Sequence, residues 1–514
     1  MIIIYHNHNK VVKVSTLTDE ILPFNKKGTI SSVLIDFAIK YPESGIVWCN
    51  ENFEAFLNLD SLNDIFYHEK MMLSYNPNTF GFLGKEIGYI DASPFIKINK
   101  EVTFPTWEMS SLVGVVHSKV LLEICSVIKP HSNFDYYLNS IAKVCMPLGL
   151  LCYSEPQLLK RKDFIYSSKS SRFTLFRFTK QHYKLRWTFI LFLNFVIYEF
   201  KFPLLSLIYS VFFRNINKQT INIDKIEVDC SSKNETNFEA LDVIIPTIGR
   251  KEYLYDFLQD LSIQTYLPKN VIIVEQNPLS GSVSELDYLT SEDWPFEIKH
   301  TFTNQAGACN ARNIALDQVE SEWIFFADDD IRIDHFFIES AFKDISKYKC
   351  KAVSFSCLQK DEKKSNTKVF QWNAFGSGCS FVKSEAAKMT RFDLRYEFGF
   401  GEDGDFGMQL RNMGCDVLYF PNPAILHLKA PIGGFRTKPD LAWNNDSIKP
   451  KPSPTVSLYK ILHETKEQHK GYKVILFFKY YRKQSIKNPL KYFTQFQKEW
   501  AKSLYWANKL FDKV

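Results

Sequence analysis

Residues 304–332, NQAGACNARNIALDQVESEWIFFADDDIR, pass from a run of small side chains through a helical pattern into an apolar strand that stops on three carboxylates. Ala306, Gly307, Ala308 and Ala311 allow close backbone approach, and Arg312 sets a fixed cation among them. The strand Trp323–Ala327 ends on Asp328, Asp329 and Asp330. Neighbouring carboxylates repel by about 4 kcal/mol per pair at ~4 Å and an effective dielectric near ~20, so positive charge is expected beside them. A hard divalent cation, Mn2+ or Mg2+, meets that need when one or two carboxylates hold it and water and diphosphate complete its shell. The alternative is a solvated acidic turn.

Upstream, LDVIIPTIGRKEYLYDFLQDLSIQTYLPKNVIIVEQN (241–277) reads as strand, helix, strand, with Leu254, Leu258 and Leu261 on one helix face. Ligands of open α/β sheets bind beyond the carboxyl ends of strands, so Pro246–Arg250 and Glu275–Asn277 are expected at one crevice. Downstream, FGSGCSFVKSEAAKMTRFD (375–393) and RYEFGFGEDGDFGMQLRNMGCDVLYFP (395–421) place Gly376, Gly378, Gly399, Gly401 and Gly404 around Glu402 and Asp403. An acid walled by glycine can take a proton from an attacking hydroxyl; helix capping by Asp403 or Asp405 is the other reading, with a helix expected over Phe406–Met413. His427 follows on the strand-like Ala424–Leu428, where a neutral imidazole can complete a metal site or serve structure alone.

Together these pieces resemble the family 2 glycosyltransferases with the GT-A fold, over about 200 residues. The likeness rests on the Pro-Thr strand end, the N-x-x-G-x-x-x-A-R-N run at Asn304–Asn313, the DDD strand end and the GED ahead of a helix. The resemblance implies that Pro246, Thr247, Arg250, Glu275, Asn304, Gly307 and Arg312 bind a nucleotide-sugar donor. Asp328 and Asp329 would hold ribose or metal, Asp330 and His427 the metal, and Asp403 would be the base with Glu402 beside it. The implied reaction is displacement with inversion onto a hydroxyl of a saccharide or lipid-linked acceptor, and Arg436 on the glycine loop Gly433–Arg436 could close over the diphosphate. One departure stands out: the family commonly has Asp-Asp-Gly-Ser where this chain has Glu275-Gln276-Asn277.

The remaining sequence frames this α/β domain. At 514 residues several domains are expected: an α/β domain over 1–160, a basic and aromatic segment with its linker over 161–239, the GT-A domain over 240–445, and a basic helical tail over 446–514. The first shows no acid-ended strand or phosphate loop, yet FPTWEMSSLVGVVHSKVLLE followed by FDYYLNSIAKVCMPLGLLCYSEP faintly echoes the 375–393 and 395–421 stretches without their acids, as a degenerate relative of the same fold would. Ten scattered cysteines without a CxxC pair fit a reducing cytoplasm, and MIIIYHNHNK does not read as a signal peptide. Lys160–Arg186 carries nine basic residues against one acid, and Lys451 onward fourteen against four. Such patches suit nucleic acid or an anionic membrane surface; with no nucleic-acid docking motif present, no nucleic-acid partner is expected. Residues 187–213 are apolar at twenty of twenty-seven positions but broken by Glu199, Lys201 and Pro203. Each half makes roughly 18 Å of helix against the roughly 30 Å of a bilayer core, so the segment suits an interfacial hairpin or a buried helix pair. A nucleotidyl transferase would want a richer glycine loop than PTIGRKE; an inactive transferase-like membrane scaffold or nucleotide-sugar binding protein is the remaining rival.

Overall fold

The computed structural model describes residues 1–161, 169–216, 220–228, 239–430 and 441–512. Two compact units emerge, Met1–Asp229 with Glu464–Gln484 as unit 1, and Cys230–His463 with Ser485–Val514 as unit 2. The helices expected as one tail are divided between them. In unit 1, Gln468 on helix Lys466–Tyr481 donates to the carbonyls of Asp91 and Ser93 at 3.1 and 2.8 Å. Gly471 lies so close that a Cβ there would meet the Tyr89 carbonyl at 2.1 Å. In unit 2, helices Pro454–His463 and Pro489–Phe511 meet through the Ser457 and Ser503 hydroxyls, 2.7 Å apart. Of the 161–239 segment, the part up to Asp229 falls in unit 1, where Phe176, Phe178, Leu191 and Phe195 enter the hydrophobic core.

The sheet of unit 2 contains β8 (Leu241–Thr247), β9 (Asn270–Gln276), β10 (Glu297–Thr303), β11 (Trp323–Ala327), β12 (Ile331–Arg332), β13 (Ala352–Leu358), β14 (Phe370–Gln371), β15 (Cys379–Lys383) and β16 (Val417–His427). Its order is β10-β9-β8-β11-β15-β13-β16-β12, with β14 on β16. β8, β9, β10 and β11 run parallel, and β15 is antiparallel to both β11 and β13. Strands covered on both faces need continuous apolar runs, which VIIV in β9 and WIFFA in β11 provide. β10 is the edge and alternates with polar residues. Leu254, Leu258 and Leu261 are buried on helix Lys251–Ser262, as their spacing requires.

Unit 1 is a seven-stranded sheet of β1 (Ile2–Asn7), β2 (Lys10–Thr16), β3 (Gly45–Asn50), β4 (Met71–Tyr75), β5 (Phe104–Pro105), β6 (Val113–His117) and β7 (Leu151–Ser154), ordered β2-β1-β3-β6-β4-β7-β5. The path β1-β3-β6-β4-β7-β5 repeats β8-β11-β15-β13-β16-β14 of unit 2, and every pairing has the same sense: parallel, antiparallel, antiparallel, parallel, antiparallel. Register can be carried across. Trp48 opposite Gly114 occupies the place of Phe326 opposite Ser380, and β6 and β15 each lead straight into a helix, Ser118–Ile124 and Ser384–Ala387. The two units thus share a strand path. Unit 1 departs at one edge, where the antiparallel β2 stands instead of the parallel β9 and β10.

Candidate active site

The carboxyl ends of β8 and β11 open into a cleft of about 410 Å³. Pro246, Thr247, Arg250, Gly307, Arg312, Asp328, Asp329, Asp330, Glu402, Asp403 and His427 all line it, although they are drawn from nearly two hundred residues of chain. Two side chains expected there stand elsewhere. Glu275 is buried, binding His300 Nε2 at 3.0 Å and the Glu285 amide at 3.1 Å, because strand alternation turns it to the face opposite Gln276. Asn304 is exposed and donates to the Asn277 carbonyl and the Ser282 hydroxyl. Gln276 lines the cleft in place of Glu275; it accepts from the Gly307 amide at 2.6 Å.

The protein's own cations answer the repulsion among the three aspartates. Arg250 Nη1 lies 2.5 Å from Asp329 Oδ1 and 3.0 Å from Asp330 Oδ2, and Arg312 Nη2 lies 3.0 Å from Asp328 Oδ1. Thr247 adds a 2.7 Å hydrogen bond to Asp329, whose carboxyl burial nonetheless pushes up to about 6, against the opposing charge of Arg250. At Asp330 burial also acts upward. The His427 hydrogen bond, the Ala430 amide at 3.0 Å and Arg250 outweigh it and bring this carboxyl below the usual aspartate value. His427 Nε2 stands 3.4 Å from Asp330 Oδ1, and that contact raises the imidazole pKa. Among the described residues no three His, Cys, Asp or Glu side chains are gathered as a metal cage. The expected trio Asp328, Asp330 and His427 is divided, because Arg312 draws Asp328 aside while Asp330 and His427 remain paired. Asp330 and His427 offer the oxygen and nitrogen donors that fit Mn2+ or Mg2+ in a shell completed by phosphate and water.

The glycines do what close approach demands. A Cβ on Gly378 would meet Asp328 Oδ2 at 2.1 Å, and one on Gly307, at φ +150°, would meet the Glu397 carboxyl at 2.4 Å. Gly401, also at positive φ, caps helix Glu402–Asn412. That helix starts a turn before the expected Phe406, since Glu402, Asp403 and Asp405 all sit in its first turn, where the helix dipole favours acids. His463 holds Asp405 at 2.6 Å. Burial raises the Asp403 pKa, while Arg312 and hydrogen bonds from Ser377 oppose it; Oδ1 is buried and accepts no hydrogen bond from the described residues. Glu402 is raised by burial and then by the charge of Asp403.

Sequence reasoning missed Glu397, Ser377 and the facing pair Cys357 and Cys379, all on the cleft wall. Glu397 accepts from the amides of Cys309 and Asn310 at 3.2 and 2.9 Å, at the amino end of helix Ala308–Leu316. No spacing announces it, because its partners are backbone groups 87 and 88 residues away. The glycine loop with Arg436 lies outside the described residues.

The same positions in unit 1 are filled. Asn7 bonds Glu51 as Thr247 bonds Asp329, and Asp135 accepts the Ser111 amide at 2.7 Å where Asp403 is held by Ser377. Asn50, Glu51 and Asn52 replace the three aspartates. Phe134 stands at the place of Glu402 and packs edge-on against His6 and Trp48, at 5.7 and 5.8 Å between ring centres.

A sheet of this order, with carboxylates ending its fourth strand and a glycine-walled acid facing them, belongs to a transferase domain of the GT-A type. Sequence comparison points to the same class: residues 242–408 match the family described as glycosyl transferase family 2. A curated relative, the glycosyltransferase GlyG of Streptococcus pneumoniae serotype 4, is 23% identical over 128 residues. That match covers 25% of this chain, and the chain spans 42% of the relative's length. Among solved structures, S. aureus TarS 1-349 in complex with UDP-GlcNAc is 17% identical with TM-score 0.33, over 45% of this chain and 69% of that one. GalNAc-T7 with UDP, GalNAc and Mn2+ is 13% identical with TM-score 0.32, over 40% and 48%.

Proposed function

We propose that unit 2 moves a sugar from a nucleoside-diphosphate donor to a hydroxyl of a saccharide or lipid-linked acceptor, with inversion at the anomeric carbon, as a cytoplasmic step of cell-surface polysaccharide synthesis. The observation that carries this reading is Asp403: a carboxylate on the cleft wall with raised proton affinity and an oxygen that accepts no hydrogen bond from the described residues. Such a group suits a general base. It takes the proton of the acceptor hydroxyl as that oxygen bonds to the anomeric carbon and the carbon–oxygen bond to the diphosphate breaks, the electron pair leaving on the phosphate. Pro246, Thr247, Gln276, Gly307 and Asp329 hold the nucleoside side of the donor. Arg250 and Arg312 turn from the aspartates to the diphosphate, and Glu402 orients the acceptor beside Asp403. Asp330 and His427 would hold a divalent cation, which when bound neutralises charge on the departing diphosphate.

The test is calorimetric titration with a panel of nucleoside diphosphates, with and without Mn2+ or Mg2+, on the wild type and Asp330→Ala. UDP comes first, as the nucleotide of the TarS and GalNAc-T7 complexes. One diphosphate should bind in a metal-dependent way and be lost in the variant. Binding to none would favour the rival reading, a transferase-like scaffold.

A further inference from the structure

Helices Leu185–Glu199 and Leu204–Val211 of unit 1 carry more large apolar side chains than their buried face uses. Leu191 and Phe195 of the first helix face the core, but the other fully buried positions are small and polar: Thr188, Asn194, Ser206 and Ser210, of which Asn194 and Ser210 return their hydrogen bonds to the carbonyls of Ile190 and Leu207. Their outward positions are large and apolar. Phe200 is 91% exposed, Phe212 80%, Leu205 72% and Phe202 68%, with Phe189, Ile208 and Val211 about half exposed or more. A helix that faces water reverses this pattern. Phe200 also ends the first helix at φ +52°, a left-handed position where glycine is the usual residue, so a strained and exposed phenyl ring stands at the turn of the hairpin.

The charge around this face has one sign. Between residues 169 and 216 there are eight lysines and arginines and a single acid, Glu199, which is occupied by the Tyr89 hydroxyl at 2.7 Å. Lys184, Arg186, Lys201 and Arg214 flank the exposed rings and are themselves exposed. Fifteen and eight residues of helix reach about 22 and 12 Å, short of the ~30 Å hydrocarbon core, and among the described residues no helix is long and apolar enough to cross a membrane.

We infer that this hairpin is a docking surface for an anionic lipid bilayer, lying in the interface with its phenylalanines among the acyl chains and its basic rim at the headgroups. A second copy of the chain is the weaker occupant, since a self-paired face would bring two rims of the same charge together. The inference does not depend on the transferase reading, and its test uses no nucleotide.

The experiment is flotation of the full-length protein with vesicles of phosphatidylcholine alone and of phosphatidylcholine with phosphatidylglycerol. Binding is expected on the anionic vesicles, weakened by salt. Phe200→Ser with Phe212→Ser should lower the bound fraction at least tenfold while leaving the thermal midpoint unchanged, since both rings already face solvent. Lys184→Glu with Arg214→Glu should remove the preference for anionic lipid. Equal partition onto neutral vesicles, or no partition onto either, would overturn the assignment. So would a concentration-dependent dimer abolished by the phenylalanine variants in protein that ignores vesicles.

Discussion

Units 1 and 2 run six strands along one path with the same pairings, and they differ in what stands at the strand ends. In unit 2, Gly378 and Gly307 leave room for Asp328 and Glu397, and ion-paired arginines and aspartates line the cleft. In unit 1 the counterparts His6, Trp48 and Phe134 close on one another in the core. The strand path is held by backbone ladders and buried aliphatic residues common to both units, so it survives exchange of the site. The site depends on a few side chains: Glu402 lines the cleft of unit 2, while in unit 1 Phe134 packs on His6 and Trp48.

The sharpest contrast lies between Asp403 and Asp135. Asp403→Asn should lower turnover by about 10²- to 10⁴-fold, read in a donor-hydrolysis-corrected transfer assay. Asp135→Asn should leave turnover unchanged and lower the stability of unit 1 by about 1–3 kcal/mol, read from denaturant midpoints. A loss of transfer in the second variant would mean that unit 1 has kept chemistry.

The filled core of unit 1 can be tested at Gly114, where a Cβ would meet Trp48 Cζ2 at 2.2 Å and the Leu73 carbonyl at 2.4 Å. Gly114→Ala should cost about 1–3 kcal/mol. Adding Trp48→Phe, which approximates the Phe326 and Ser380 pair of unit 2, should recover only the part due to the indole, since the Leu73 carbonyl clash remains.

Asp329 gives a smaller, pH-dependent effect. Its folded pKa of about 6 lies above the unfolded value of about 3.9, so its contribution to stability is present below that lower value and lost as pH rises through the folded one. Asp329→Asn should flatten thermal midpoints between about pH 4 and 6 and leave the protein about 1 kcal/mol more stable at pH 8, while losing donor affinity. The smallest effect belongs to His427. Its raised pKa means the bond to Asp330 stabilises at pH below the unfolded imidazole value and fades as pH rises through the folded one. At a third exposed, it should contribute less than about 1 kcal/mol, seen as a shallow slope that His427→Gln removes.

Much of unit 2 was legible because apolar runs ending on acids report both a strand and the end that carries the site. What was illegible depends on contacts between distant segments. The aspartate repulsion was read correctly, but its answer, Arg250 and Arg312, lies 79 and 16 residues from its partners, and only the fold shows how the two share the work. Glu275 and Gln276 differ by one place, and the pleat decides which faces the cleft. Unit 1 shares the strand path of unit 2 and little of its side-chain identity, so the likeness showed in the sequence only as a faint echo over 104–123 and 134–156.

Glu397 carries a further consequence. The amino end of a helix is a ready receptor for phosphate, yet at Ala308–Leu316 that seat is taken by the protein's own carboxylate. Asp328, Asp329 and Asp330 likewise come already matched with Arg312, Arg250 and His427. On the proposed function a donor would enter by exchange rather than by addition, each new contact replacing an old one. Its affinity would then measure the difference between two sets of contacts, so a tight internal set would favour release of the spent nucleotide as much as it would hinder capture of the next.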